Sequence, residues 1–266
     1  MDINFDEYKK NKLSPLMVKT VDDLKFYGNI TPLTDDAFVK QSNEFRIFNL
    51  GETIKQDYKI NEYNFRGKFD FSSTYRKVGF FGCSFTFGEL VNDGLIFKDI
   101  VENNSNYNCF NFGILGTDIE SIAYTFNAAC RVINFDKAII ITLPDIYRSM
   151  YLESNKKGTV HRSISHSTKT KYKKIDDTVK TIYTLPPEFF IQRAITNINW
   201  IVSTAKQKGM RVSLTSWSEE TYKILSHVFP AVTMDEMFPY IDRATDNLHP
   251  GQQSHAKFAE QVLSAI

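Results

Sequence analysis

The chain has almost no excess of charge of either sign: 32 Lys and Arg stand against 31 Asp and Glu, a formal net charge of +1. No whole-chain field draws it toward a polyanion or an anionic membrane, so nucleic acid is not an expected partner. Long hydrophobic runs are missing as well. Runs such as Ala138 to Ile141 fall far short of the roughly 20 residues that a bilayer-spanning helix needs. The first residues, MDINFDEYKKNKLSPLM, are acidic where a secretory leader is basic, and no apolar segment precedes a small-residue cleavage site. A cytoplasmic protein with no membrane partner is the expectation.

Cysteine is scarce. Cys83, Cys109 and Cys130 form an odd set without CxxC spacing, each in an apolar context, which predicts buried free thiols instead of a disulfide framework. The five histidines, His161, His166, His227, His249 and His255, offer no pairs with structural-zinc spacing, so no metal is expected. Neither GxGxxG nor GxxxxGK[ST] is present, and no cofactor is expected.

What the chain does have is 42% hydrophobic and 14% aromatic residues over 266 positions, ample for a sizeable core. From Lys77 onward short apolar runs alternate with longer amphipathic stretches. The runs predict strands over Val78 to Gly82, Asn108 to Phe112, Lys137 to Leu143 and Met210 to Thr215, with a less pronounced fifth around Ala231 to Met234. Helices are predicted over Thr117 to Val132, Glu188 to Lys206 and Gln252 to Ile266. This rhythm is that of βαβ units with right-handed crossovers and a parallel sheet, in which ligands bind beyond the carboxyl ends of the strands. Residues 1–75 lack the rhythm and read as an N-terminal extension packed on a main domain of 76–266. A polar insertion near 151–180 contains the basic stretch Lys156 to Lys174, expected as an exposed solvated loop, the alternatives being a lid or a contact for an acidic polymer.

Three segments carry chemistry. Gly82-Cys83-Ser84-Phe85-Thr86-Phe87-Gly88 follows the first strand. A serine hydroxyl is a weak nucleophile that needs a base and a turn exposing it at the rim of the sheet, although a serine there also serves as an N-cap. Asp246-Asn247-Leu248-His249-Pro250 precedes the last helix. A carboxylate three residues before an imidazole can accept from one ring nitrogen while the other faces a serine, and the same string also suits helix entry. Asn111 to Thr117, with Gly113 and Gly116, follows the second strand and allows close backbone approach to a ligand, or a simple turn. All three fall at one edge of the sheet.

In these segments the chain resembles the SGNH (GDSL-like) hydrolases. Gly82 to Phe85 is similar to the family's nucleophile block, Asn111 to Thr117 to its second block, and Asp246 to His249 to its fifth, a resemblance over roughly residues 76–266. Asn61 to Gly67 is similar to a segment that precedes the nucleophile in some branches. The resemblance implies a flavodoxin-like three-layer α/β/α sandwich around a five-stranded parallel sheet. It further implies acyl transfer to Ser84, with His249 as base, Asp246 orienting it, and the N–H groups of Ser84 and Gly116 forming the oxyanion hole. One position departs: where the family's third block supplies an asparagine, this chain reads Thr142-Leu143-Pro144-Asp145. Thr142, Tyr147 or Arg148 is then the candidate replacement, or a substrate contact, with Arg148 also able to pair simply with Asp145. The expected function is a carboxylester hydrolase acting on a small acyl ester or an acylated carbohydrate. The alternatives are an O-acyltransferase with the same residues and a degenerate binding or assembly module.

Overall fold

A computed structural model describes residues 57–142, 146–155, 158–164 and 184–266, together with Thr20 and two strands at 38–41 and 46–49. Strands β1 (Phe38–Gln41), β2 (Arg46–Asn49) and β3 (Asp57–Ile60) form a small antiparallel sheet in that order. The main sheet is parallel and has four strands, β4 (Arg76–Gly82), β5 (Tyr107–Gly113), β6 (Lys137–Thr142) and β9 (Arg211–Ser216), in the order β5-β4-β6-β9. Every residue of β5 and the last five of β4 are buried, as expected of strands covered on both faces.

Neighbouring residues on a strand point to opposite faces, so Phe80 and Phe81 separate two halves of the core. The Phe81 ring stacks on Phe112 at 4.6 Å and meets Phe126 of helix α3 (Ile119–Val132) edge-on at 5.2 Å. The Phe80 ring meets Phe97 of α2 (Phe97–Asn103) at 5.1 Å, and Phe97 in turn meets Phe258 of α6 (Gln252–Ala265) at 5.0 Å. Helix α4 (Pro187–Gln207) packs on α3, and α5 (Glu219–Val228) on β9. Among the described residues no helix is long and apolar enough to cross a membrane. All three cysteines are buried free thiols.

Two expectations are corrected. In place of a fifth strand at 231–234 there is a single parallel bridge, Thr233 to Leu214. The segment lies beside β9, the Leu214 N–H donating to the Val232 carbonyl and the Met234 N–H to the Leu214 carbonyl at 2.8 Å each, while the Val232 and Thr233 N–H groups turn back to the Phe229 carbonyl at 3.1 Å each and limit the pairing to that bridge. Within the basic insertion, 158–164 is not loop but strand β8 (Gly158–Ile164), which pairs antiparallel along one edge with β7 (Ser149–Asn155). Lys156, Lys157 and residues 165–174 lie outside the described residues.

From Ser72 backward the chain reaches into the same core. Tyr63, Phe65 and Phe69 are buried in the cluster that holds Phe110 and Phe112, with Phe65 edge-on to Phe112 at 5.0 Å. At the carboxyl end of β5, a methyl group on Gly113 would stand 2.1 Å from the Phe87 nitrogen. Gly113→Ala is therefore expected to cost about 3 kcal/mol in urea unfolding. Gly94→Ala, at φ +85 with no atom within 4 Å of the new methyl, should cost only about 1 kcal/mol. Equal losses would show that the contact at Gly113 relaxes freely.

Candidate active site

Strand β4 ends at Gly82, Cys83 continues extended at φ −93, and a single helical turn, α1 (Ser84–Phe87), begins at Ser84. Gly88 stops the turn in the left-handed region at φ 79, its N–H donating to the Ser84 carbonyl at 2.9 Å. The Glu89 N–H donates to the same carbonyl at 3.1 Å, which ties the next side chain to the turn that carries Ser84. Burial pushes the pKa of the neighbouring Cys83 thiol up, which favours its protonated form.

Opposite, Asp246 builds the turn that presents His249. Its Oδ1 accepts from the Leu248 and His249 backbone N–H groups at 3.0 Å each, with Asn247 in the left-handed region at φ 58. Its Oδ2 lies 2.5 Å from His249 Nδ1. Burial works against the Asp246 charge, but these hydrogen bonds outweigh it and hold the carboxyl below its ordinary value. The other ring nitrogen, Nε2, lies 2.9 Å from Ser84 Oγ. The loop itself is braced from behind: Asp242 accepts from the Gln253 and Ser254 N–H groups at 3.0 and 2.8 Å, capping α6, and Tyr240 donates to the Leu248 carbonyl at 2.8 Å.

A fourth side chain was not singled out from the sequence. Glu89 Oε2 stands 3.0 Å from His249 Nε2, and Glu89 is only 8% exposed. Burial lowers the affinity of the ring for a proton, but the hydrogen bond and charge of Glu89, followed by those of Asp246, overcome it and raise the His249 pKa above 6.5. A neutral imidazole that gives its Nδ1 proton to Asp246 has only a lone pair at Nε2, so a carboxylate at 3.0 Å is satisfied only when a proton lies between them. A single Glu after a Gly-rich turn carries no sequence signal of that kind.

Arg66 fixes the stretch between α1 and Asp93. Its guanidinium, on a side chain 1% exposed, donates to the carbonyls of Phe87 (3.1 Å), Gly88 (2.5 Å) and Val91 (2.7 Å) and pairs with Asp93 at 2.7 Å. Asn61 shapes the turn that delivers it, accepting from Tyr63 and Phe65 N–H at 2.9 and 3.1 Å and donating to the Gly67 carbonyl at 2.9 Å. The Asn61 to Gly67 segment thus serves the site by gripping its backbone. An aromatic wall completes the surroundings: Phe85 stacks on Trp217 at 4.1 Å, and its ring meets that of His249 at 5.5 Å.

The structure brings Ser84, His249 and Asp246 into one hydrogen-bonded series. Ser84 begins α1, and Gly116 lies in the loop after β5 at φ 66. Neither backbone N–H has an acceptor among the described hydrogen bonds. Asn111 turns to the backbone, accepting from the Gly113 N–H at 2.9 Å. Of the candidate replacements for the third donor, Tyr147 donates to Glu220 at 3.1 Å, and the Arg148 carbonyl accepts from the Arg193 guanidinium at 2.5 Å. Thr142 ends β6, its side chain lies outside the described set, and so do Leu143, Pro144 and Asp145. His255 is a core residue: its Nδ1 accepts from Phe97 N–H at 3.3 Å, and burial lowers its pKa to about 3, which keeps it neutral. Among the described residues no group of three or more His, Cys, Asp or Glu could hold a metal ion.

No family model matches the chain, and no curated protein does. Solved structures do. A lipolytic protein of the G-D-S-L family from Desulfitobacterium hafniense is 14% identical, over 71% of this chain and 99% of its own, with a TM-score of 0.46. The psychrotrophic esterase EstA from Pseudoalteromonas is 9% identical, over 71% of this chain and 95% of its own, with a TM-score of 0.45. A lipase/acylhydrolase from Enterococcus faecalis is 16% identical, over 72% of this chain and 95% of its own, with a TM-score of 0.44.

The contact between Glu89 and Nε2 has a direct readout. In nitrogen-detected NMR of the imidazole, Glu89→Gln should move the His249 titration to lower pH, since it removes the first of the two interactions that raise it. An unchanged midpoint would mean that Asp246 alone sets it.

Proposed function

We propose that this protein is a serine-dependent carboxylester hydrolase of the SGNH type, removing small acyl groups from an alcohol such as a carbohydrate. The observation that carries this reading is the series Ser84 Oγ, His249 Nε2 at 2.9 Å, and His249 Nδ1 to Asp246 Oδ2 at 2.5 Å, at the carboxyl edge of a parallel sheet. Aromatic contacts from Phe80 and Phe81 to helices on opposite faces support reading the domain as a three-layer α/β/α sandwich.

In this reading Ser84 Oγ attacks the acyl carbon and its proton passes to Nε2, while Asp246 holds the ring in the required tautomer and stabilises the imidazolium. The backbone N–H groups of Ser84 and Gly116 take the developing oxyanion. The proton then leaves Nε2 for the alcohol oxygen as the ester C–O bond breaks. Water attacks the acyl-enzyme, gives one proton to Nε2, and Ser84 recovers it as the acid departs. The base form of His249 is lost as pH falls through its raised pKa, so the acid limb of kcat/KM lies above 6.5.

With p-nitrophenyl acetate, Ser84→Ala should lower kcat by roughly a thousandfold or more, and a fluorophosphonate should label the wild type, at Ser84 alone, one to one. Equal turnover by wild type and variant, with no labelling, would sink the proposal.

A further inference from the structure

The relay from Ser84 to Asp246 accounts for one carboxylate, and Glu89 is a second one that it leaves unused. Its position is specific. Nε2 must give its proton to the leaving alcohol oxygen and later take one from the attacking water, so both oxygens have to come within hydrogen-bond distance of the atom that Glu89 Oε2 already touches at 3.0 Å. Two groups that each lie about 3 Å from one atom are at most about 6 Å apart, the span of one bridging hydroxyl. Glu89 is held there by the bond of its N–H to the Ser84 carbonyl, and Arg66 anchors the carbonyls of Phe87 and Gly88 just before it.

The carboxylate is an acceptor, and the one lone pair of a neutral Nε2 faces the Ser84 hydroxyl, so a substrate group held at Glu89 must donate to it. Water does so. An alcohol with a single hydroxyl, once esterified, brings no donor at all, whereas an ester of a polyol keeps a neighbouring hydroxyl. Resting on the hydrolase reading above, we propose that Glu89 determines specificity: it selects esters whose leaving alcohol carries a second hydroxyl beside the ester oxygen, as in a partly acylated polyol or sugar, and then holds the hydrolytic water.

In acylation the ester C–O bond breaks, the alcohol oxygen takes its proton from Nε2, and its neighbouring hydroxyl donates to Glu89. In deacylation water forms the new bond to the acyl carbon and gives one proton to Nε2. Its other hydrogen points at Glu89, and the proton on Nε2 returns to Ser84 Oγ as that bond breaks. The carboxylate gains and loses no proton, and no further reactant is needed.

The test compares 2-hydroxyethyl acetate with propyl acetate, which place a hydroxyl and a methyl group at the same position. Values of kcat/KM are taken on the alkaline plateau and corrected for the rates of hydroxide hydrolysis. Wild type should favour the hydroxyl ester by about tenfold or more. Glu89→Leu should bring the ratio near one, and Glu89→Gln, which keeps an acceptor oxygen, should fall between and serves alone if the leucine variant does not fold. A purely structural role would slow both esters together and leave the ratio as in wild type. Ser84-dependent hydrolysis of both esters with a wild-type ratio near one, or with a ratio that survives both variants, overturns the assignment and leaves the hydrolase intact. Absence of any Ser84-dependent turnover overturns both.

Discussion

The backbone of α1 reaches the edge of the sheet because position 113 has no side chain. A methyl group there would meet the nitrogen of Phe87 at 2.1 Å and the α-carbon of Phe87 and carbonyl carbon of Thr86 at 2.6 Å. With that contact made, α1 packs on the end of β5, and Phe87 shares a buried cluster with Leu115 of the loop that follows. From the same turn, Gly88 and Glu89 fold back onto the Ser84 carbonyl. Ser84 and Glu89 are thus tied into one turn that packs against a glycine at the end of the next strand.

Against that turn stands a loop that carries His249, and the Ser84 hydroxyl and the Glu89 carboxylate both reach it at one nitrogen. Nε2 lies within 2.9 Å of a hydroxyl and 3.0 Å of a carboxylate, while Nδ1 is engaged by Asp246. Two carboxylates around one imidazole favour its charged form. The aromatic wall of Phe85 and Trp217 limits solvent on one side, so these charge interactions act in a medium less screening than water.

Much of this was legible in advance where local rules are strong. Apolar runs bounded by turns placed β4, β5, β6 and β9 to within about two residues, because strands buried on both faces need continuous hydrophobic sequence. The spacing of Asp246 and His249 announced its geometry, since a carboxylate three residues ahead of an imidazole can cap the turn and reach Nδ1 together. The run at 231–234 pairs with β9 by one bridge only, because the Phe229 turn takes its first donors. In the basic stretch, polarity suggested loop, yet Gly158–Ile164 has a partner in Ser149–Asn155 that no local pattern reveals. Glu89 was invisible for the same reason: its role depends on a residue 160 positions away, and a glutamate after a helical turn looks like ordinary surface until its 8% exposure is known.

The segment before β4 illustrates how far such distant dependence extends. The arginine of Asn61 to Gly67 donates to three buried carbonyls at and just beyond the end of α1, those of Phe87, Gly88 and Val91. The guanidinium also lies over the Tyr58 ring at 4.7 Å, and the Tyr58 hydroxyl accepts from the Leu90 N–H at 2.8 Å, where Leu90 takes the left-handed region at φ 65. A non-glycine residue there costs about 1 kcal/mol, which the Tyr58 bond and the Arg66 anchors on either side offset. The left-handed step at Leu90 immediately follows Glu89, so the same anchors that hold the strained backbone also aim the carboxylate at Nε2. Residues upstream of the sheet therefore determine where Glu89 points.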